Sequence, residues 1–296
     1  MILLLINNKP YHYEILETII KFYYKILNIN KPNKEPRIFL EIKNNSIFSS
    51  YITTKYPNVE INKHIFFGYD YLINCSVYSL DFEIVRKCLC ENTKNNIHYI
   101  CHDVSYEMKA LRNVHYITPL HNNNNFYCDL LPYCDMPKHK TDNPVYIIQG
   151  EMTMFRRDYN LLRIILNGKY EYPYKFVILG KGPPCKKLLE LYKEYQDKIE
   201  LKCDLTFLDY HREFLSCYCL FPCISNEKNT MYYRNKLTSS INYARGYNLS
   251  ILLDYELQSI YHCKKAYVYK NNDKLQKYFN KTLEDFYKPS LFSCFK

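Results

Sequence analysis

The sequence predicts an α/β protein of two domains, each built on a parallel sheet. Three observations lead there. Residues 145–257 alternate short apolar runs with helical patterns, residues 2–118 do the same, and a polar, proline-bounded stretch at 136–144 separates them. Apolar runs of this length separated by amphipathic segments indicate buried strands joined by crossover helices, hence sheets covered on both faces.

In the first half, Ile2-Leu-Leu-Leu-Ile6 reads as a strand. A helix over 12–27 follows, with Ile15, Leu16, Ile19, Ile20, Tyr23 and Ile26 on one stripe. Residues 37–42 form a second strand, 47–56 a short helix and 71–77 a third strand. Ser79 caps a helix over 80–90, with Asp81 and Glu83 near its positive end. A fourth strand over 96–101 ends at His102-Asp103, and 114–118 is a fifth.

The second half places strands at 145–148, 175–179, 199–201, 219–221, 251–253 and 266–269, with helices between them. A last helix over 273–286 ends before Pro289. The expected division is a first domain over 1–140, a second over 141–272, and a terminal segment over 273–296 that returns to pack on the first domain.

Composition narrows the function classes. The chain has 296 residues, 47% of them hydrophobic, and a formal net charge of +10. That balance favours anionic partners. No basic run, zinc-finger spacing or base-stacking signature supports nucleic acid as the partner. Thirteen cysteines without a secretory leader indicate reduced, buried thiols in the cytoplasm. Their spacings, as in Cys88-Leu-Cys90, do not suit zinc, and no metal site is expected. No stretch has the length of a membrane span, which leaves peripheral contact as the only membrane association to consider.

Ligands of such sheets lie beyond the carboxyl ends of the strands. Here those ends carry Gly150, Arg156, Arg157, Gly180, Lys181 and Gly182. Glycine lets backbone approach a ligand closely, and guanidinium groups clamp phosphate oxygens in pairs. A surface turn with solvated arginines is the alternative, and the coincidence of a strand end, a glycine and paired arginines favours the ligand. Thr206 and Phe207 open another loop that could wall a nucleobase, with helix capping as the alternative. Lys236-Leu237-Thr238-Ser239 opens a helix, and its free N–H groups, hydroxyls and cation make a diphosphate site. Capping alone accounts for the hydroxyls, whereas a cation at the positive end of a helix dipole calls for an anion. In the first half, His102 and Asp103 stand at a strand end, where either could take a proton from an acceptor hydroxyl.

With these segments in place, the chain resembles the glycosyltransferases of the two-Rossmann-domain type, GT-B, with closest similarity to family 4-like members. The architecture covers nearly the whole chain. The motifs lie in the second half: Gly150 with Arg156-Arg157, Val177-Ile-Leu-Gly-Lys-Gly182, and the stretch from Lys236 through Tyr243-Ala-Arg-Gly to Leu253. The wealth of Asn, Lys, Ile and Tyr, which AT-rich codons favour, is similar to that of proteins from large DNA viruses.

The resemblance implies two Rossmann-like domains facing across a cleft, a nucleotide-sugar donor (UDP- or GDP-linked) on the second domain, and a glycan or glycoprotein acceptor on the first. It also implies hexosyl or pentosyl transfer without metal or other cofactor, in the cytoplasm. Arg157 and Lys236 would neutralise the leaving diphosphate, and in an inverting enzyme Asp103 or His102 would be the base. One departure matters. Retaining members carry a pair of glutamates where this chain has Asn235 and Tyr243. A non-catalytic binding relative and a nucleotide-sugar epimerase are therefore the competing readings.

Overall fold

A computed structural model describes residues 2–7, 13–30, 37–42, 46–62, 69–75, 97–101, 113–116 and 138–288. The chain divides into two compact units, Met1–Pro132 with Asn235–Leu237, and Tyr133–Arg234 with Thr238–Lys296.

The first unit holds a six-stranded sheet in the order β3-β2-β1-β4-β5-β6, made of β1 (Ile2–Asn7), β2 (Arg37–Ile42), β3 (Val59–Ile61), β4 (Tyr71–Asn74), β5 (Ile97–Cys101) and β6 (Val114–Tyr116). All its pairings are parallel. Helix α1 (Tyr13–Asn30) buries Ile15, Leu16, Ile20 and Tyr23, and α2 (Ser46–Lys55) buries Phe48 and Ile52. Glu17 on α1 is buried, and its carboxylate is held by Lys55 at 3.0 Å and the Tyr51 hydroxyl at 3.1 Å. Strand β3 is absent from the sequence reading. Its Val-Glu-Ile has no continuous apolar run, and it exists because backbone pairing with Ile38, Phe39 and Leu40 makes it an edge strand. The expected helix over 80–90 lies outside the described residues.

The second unit repeats the plan. Its six-stranded sheet runs β12-β11-β10-β7-β8-β9, with β7 (Val145–Gln149), β8 (Lys175–Gly180), β9 (Ile199–Cys203), β10 (Cys219–Leu220), β11 (Ser250–Asp254) and β12 (Ala266–Tyr269). Its pairings are likewise parallel. Between the strands lie α3 (Tyr159–Leu166), α4 (Lys186–Glu194), α5 (Phe207–Leu215), α6 (Asn226–Asn229), α7 (Met231–Arg234), α8 (Ser239–Gly246) and α9 (Tyr255–Tyr261), and α10 (Asn272–Tyr287) closes the described chain. Both sheets have the doubly wound order, with a reversal of winding between the first and fourth strands. In the second unit that switch point lies between β7 and β10.

The C-terminal helix belongs to the second unit. Leu275, Phe279 and Leu283 of α10 join its core with Tyr146, Tyr174 and Phe176. Phe279 lies 4.7 Å from the Tyr146 ring and 5.0 Å from those of Tyr170 and Tyr174. The helix is amphipathic, and β12 with α3 presents the nearest apolar surface to it. Residues 289–296 lie outside the described chain. Part of the expected linker also belongs to the second unit, since the His139 N–H donates to the Leu215 carbonyl at 2.9 Å.

Among the described residues the cysteines are free thiols, and most are buried, with Cys203 exposed. No three metal-ligating side chains come together among them, and no described helix is long and apolar enough to cross a membrane.

Candidate active site

Strand β7 enters the switch point of the second sheet, and its last residue organises the site. Gln149 is buried. Its Nε2 donates to the hydroxyls of Ser239 and Ser240, each at 3.0 Å, and its Oε1 accepts from the Tyr210 hydroxyl at 2.7 Å. One side chain thus ties the end of β7 to the start of α8 and the middle of α5. Neither Gln149 nor Tyr210 stands out in the sequence. A glutamine ending an apolar run before a glycine is the one signal that could have marked the position.

Gly150 follows at φ 120°, where a side chain is strained. A Cβ there would collide with the Arg157 guanidinium. Arg157 is only 5% exposed, so it does not reach out as a surface clamp. Its amino groups donate to the Gln149 and Arg156 carbonyls, and its Nε has no partner. No carboxylate pairs with it among the described residues. The result is a buried cation directly behind the end of β7, a costly arrangement without an anion. The absent side chain of Gly150 makes room for Arg157, a reason that sequence reading did not supply.

Arg156 behaves differently. It is half-buried, with Nε 3.3 Å from the Glu151 carboxylate and Nη1 3.4 Å from the Met231 sulfur. Gly180 touches the same strand end, since a Cβ on it would come within 2.5 Å of the Gly150 carbonyl oxygen. Gly182, at φ 77°, faces open space and donates its N–H to the Asp204 carboxylate at 3.0 Å, while Lys181 is exposed. The Gly180–Gly182 turn is therefore explained by backbone packing and geometry before any ligand is considered.

Thr206 caps α5, its hydroxyl accepting from the Asp209 N–H at 3.3 Å, so helix capping is realised there. Phe207 packs on His211, with ring centroids 4.5 Å apart. Behind them His211, Phe214, Tyr243 and Tyr247 form an aromatic stack. Burial lowers the His211 pKa to about 3, and its Nδ1 lies 2.6 Å from the Tyr247 hydroxyl. The folded pKa is below the unfolded value near 6.5, so the unfolded state binds more protons between them. Stability is full above that unfolded value and is lost as pH falls towards 3, by up to about 1.4 kcal/mol per pH unit from this group. Melting temperatures taken from pH 7 to pH 4 are expected to fall less steeply in His211→Phe than in the unsubstituted protein.

Thr238 is the N-cap residue of α8, with its own N–H donated to the Tyr261 hydroxyl at 3.1 Å. Ser239 opens the helix and faces Gln149, so the structure brings Gly150, Arg157, Gly180 and Ser239 to one sheet end around a residue the sequence did not flag. Lys236 and Leu237 group with the first unit. His102 and Asp103 lie outside the described residues. Of the two positions where glutamates are missing, Tyr243 is buried and stacks on Phe214 at 4.8 Å between centroids.

No known family profile matches the chain, and no curated protein matches it by sequence. Solved structures do match in fold. HepE (Alr3699) of Anabaena in complex with UDP and glucose superimposes with a TM-score of 0.59 at 10% identity, over 97% of this chain and 90% of that one. AviGT4, a glycosyltransferase involved in avilamycin A biosynthesis, gives 0.57 at 8% identity, over 96% and 88%. The apo lipopolysaccharide outer core galactosyltransferase WaaB gives 0.52 at 12% identity, over 97% and 92%. These define the fold of the chain as GT-B, with two parallel six-stranded sheets and interleaved helices.

Proposed function

We propose that this chain is a glycosyltransferase whose second domain, spanning about 141–272 together with α10, binds a UDP- or GDP-linked sugar. The observation that carries the reading is the construction of the β7 end. A glycine, a buried unpaired guanidinium and a hydroxyl-bearing helix start meet at the switch point of a GT-B sheet. Backbone N–H groups at a helix start and a nearby cation favour phosphate oxygens, and they stabilise the charge that develops on a departing diphosphate. HepE was solved with UDP and glucose, which fits this class of donor. Arg157 acts through its charge from behind the strand. Arg156, Lys181 and Lys236 are the cations that could touch phosphate directly. Gly182, Thr206, Phe207, Leu237 and Thr238 shape the loops around it. The acceptor is a glycan or glycoprotein hydroxyl, with His102 or Asp103 as the base and no metal required.

Thermal-shift measurement against nucleoside diphosphates and their sugars tests the donor site, since a ligand of the native state alone raises its melting temperature. UDP or GDP is expected to raise it. Lys236→Ala is expected to weaken that binding about tenfold, the scale of one charge-assisted hydrogen bond. No shift with any nucleotide would refute the reading. The second reading, a binding protein without turnover, is favoured by the burial of Tyr243 in an aromatic stack at a position where retaining members carry a carboxylate. Donor binding without transfer or hydrolysis would select it.

A further inference from the structure

The loop between β7 and α3 carries an apolar crest. The Arg156 and Arg157 N–H groups both donate to the Thr153 carbonyl, at 3.2 and 3.1 Å, which closes a tight turn over Met154 and Phe155. Turn positions are ordinarily filled by Gly, Pro, Asn, Asp or Ser, which suit the backbone and face water at little cost. Here Phe155 is 81% exposed and Met154 50%. Single exposed apolar side chains are common on protein surfaces, but two large neighbours on one crest mark a contact surface.

The crest is fixed from below. Met152 at its base is buried, and its carbonyl accepts from the Cys185 N–H at 3.1 Å. Asn229 is fully buried, its Nδ2 donating to the Phe155 carbonyl at 3.0 Å and its Oδ1 accepting from the Ser225 N–H at 3.1 Å. These bonds set segments 180–187 and 225–229 against the loop. Of the acids in the three segments, Glu151 is matched by Arg156 at 3.3 Å and Asp158 by Lys228 at 2.7 Å, which leaves Glu227. Against it stand the exposed Lys181 and Lys186, and Lys187, whose ammonium bonds the Asn160 side chain. Lys186, Leu189 and Tyr192 follow at three-residue spacing on α4, and all three are exposed. Positive charge and apolar area thus lie together, in a chain of net charge +10.

We infer that this crest is a membrane contact. Met154 and Phe155 enter the interface of an anionic bilayer, and the lysines beside them meet its headgroups. A stable protein partner needs about 800 Å² a side with aromatic anchors seated in pockets, and two side chains on a turn supply far less. A bilayer accepts a small apolar wedge, and anionic lipid attracts the cations around it. The inference is independent of the donor-site reading above.

The test uses the full chain and vesicles of phosphatidylcholine, alone or mixed in equal parts with phosphatidylglycerol. Co-sedimentation is expected with the mixed vesicles and should weaken as salt rises. Phe155→Ser is expected to lower that binding about tenfold or more, and Lys186→Ala about fivefold. Both should keep the melting temperature of the unsubstituted protein, because both side chains are exposed. The chain has no tryptophan, so Phe155→Trp supplies a single reporter. Its emission should shift to the blue on mixed vesicles and be quenched by lipids brominated in their acyl chains. No binding to mixed vesicles, undiminished binding of Phe155→Ser, or Phe155→Trp emission unmoved by bound lipid would overturn the proposal. A blue shift that grows with protein concentration in the absence of lipid would also overturn it, and would assign the crest to a second copy of this chain.

Discussion

Gly150→Ala is expected to destabilise the second unit by about 3 kcal/mol or more, visible as a lowered melting temperature before any ligand is added. Two costs combine. The backbone at φ 120° is a conformation that L-residues rarely adopt, and the new methyl group would occupy the space of the Arg157 guanidinium. Displacing that group would strip a buried cation of its bonds to the Gln149 and Arg156 carbonyls. For a unit of this size the loss corresponds to roughly 6–12 °C. Adding Arg157→Ala should relieve the steric part and leave the backbone strain, so the double variant should lose less than the sum of the two single ones. If Gly150→Ala melts like the unsubstituted protein, the packing of Arg157 behind β7 is wrong.

Phe279→Ala is expected to cost about 3–5 kcal/mol, because a fully buried ring would leave a cavity that rigid neighbours cannot close. Phe279 packs against Tyr146, Tyr170, Tyr174 and Phe176, and the helix carrying it is further held by the Gln276 amide on the Ile164 carbonyl at 2.6 Å. Urea unfolding followed by tyrosine fluorescence measures the loss as a lowered midpoint at unchanged slope. A change below about 1 kcal/mol would mean that α10 is not part of the second core.

Both positions show what a local pattern leaves open. In α10, the spacing of Leu275, Phe279 and Leu283 announces an apolar stripe, and the sequence holds no information on which of two sheets will cover it. At Gly150, the residue type announces unusual backbone or close approach. Only the fold reveals that the approaching group is Arg157, a side chain seven residues away that the sequence offered as a phosphate clamp. The Thr206 cap shows the complementary case, because its partner Asp209 lies three residues away and the motif is written in one stretch of sequence. Strand β3 shows the limit of patterning, because Val59–Ile61 owes its conformation to a neighbouring backbone rather than to its own side chains.

What the sequence determined by itself is the periodicity: apolar runs and helical stripes in alternation, which commit each half to a covered parallel sheet. It also set the glycines, hydroxyls and cations at the strand ends, because loops after parallel strands are where such residues must fall. The tertiary structure decided which of them meet. Strand order 3-2-1-4-5-6 brings β7 beside β10, and α8 then leads into β11, so that Gln149 reaches Ser239 and Ser240 across 90 residues of chain. Hydrogen bonds between side chains that far apart depend on Ångström-level placement, and no local pattern encodes it.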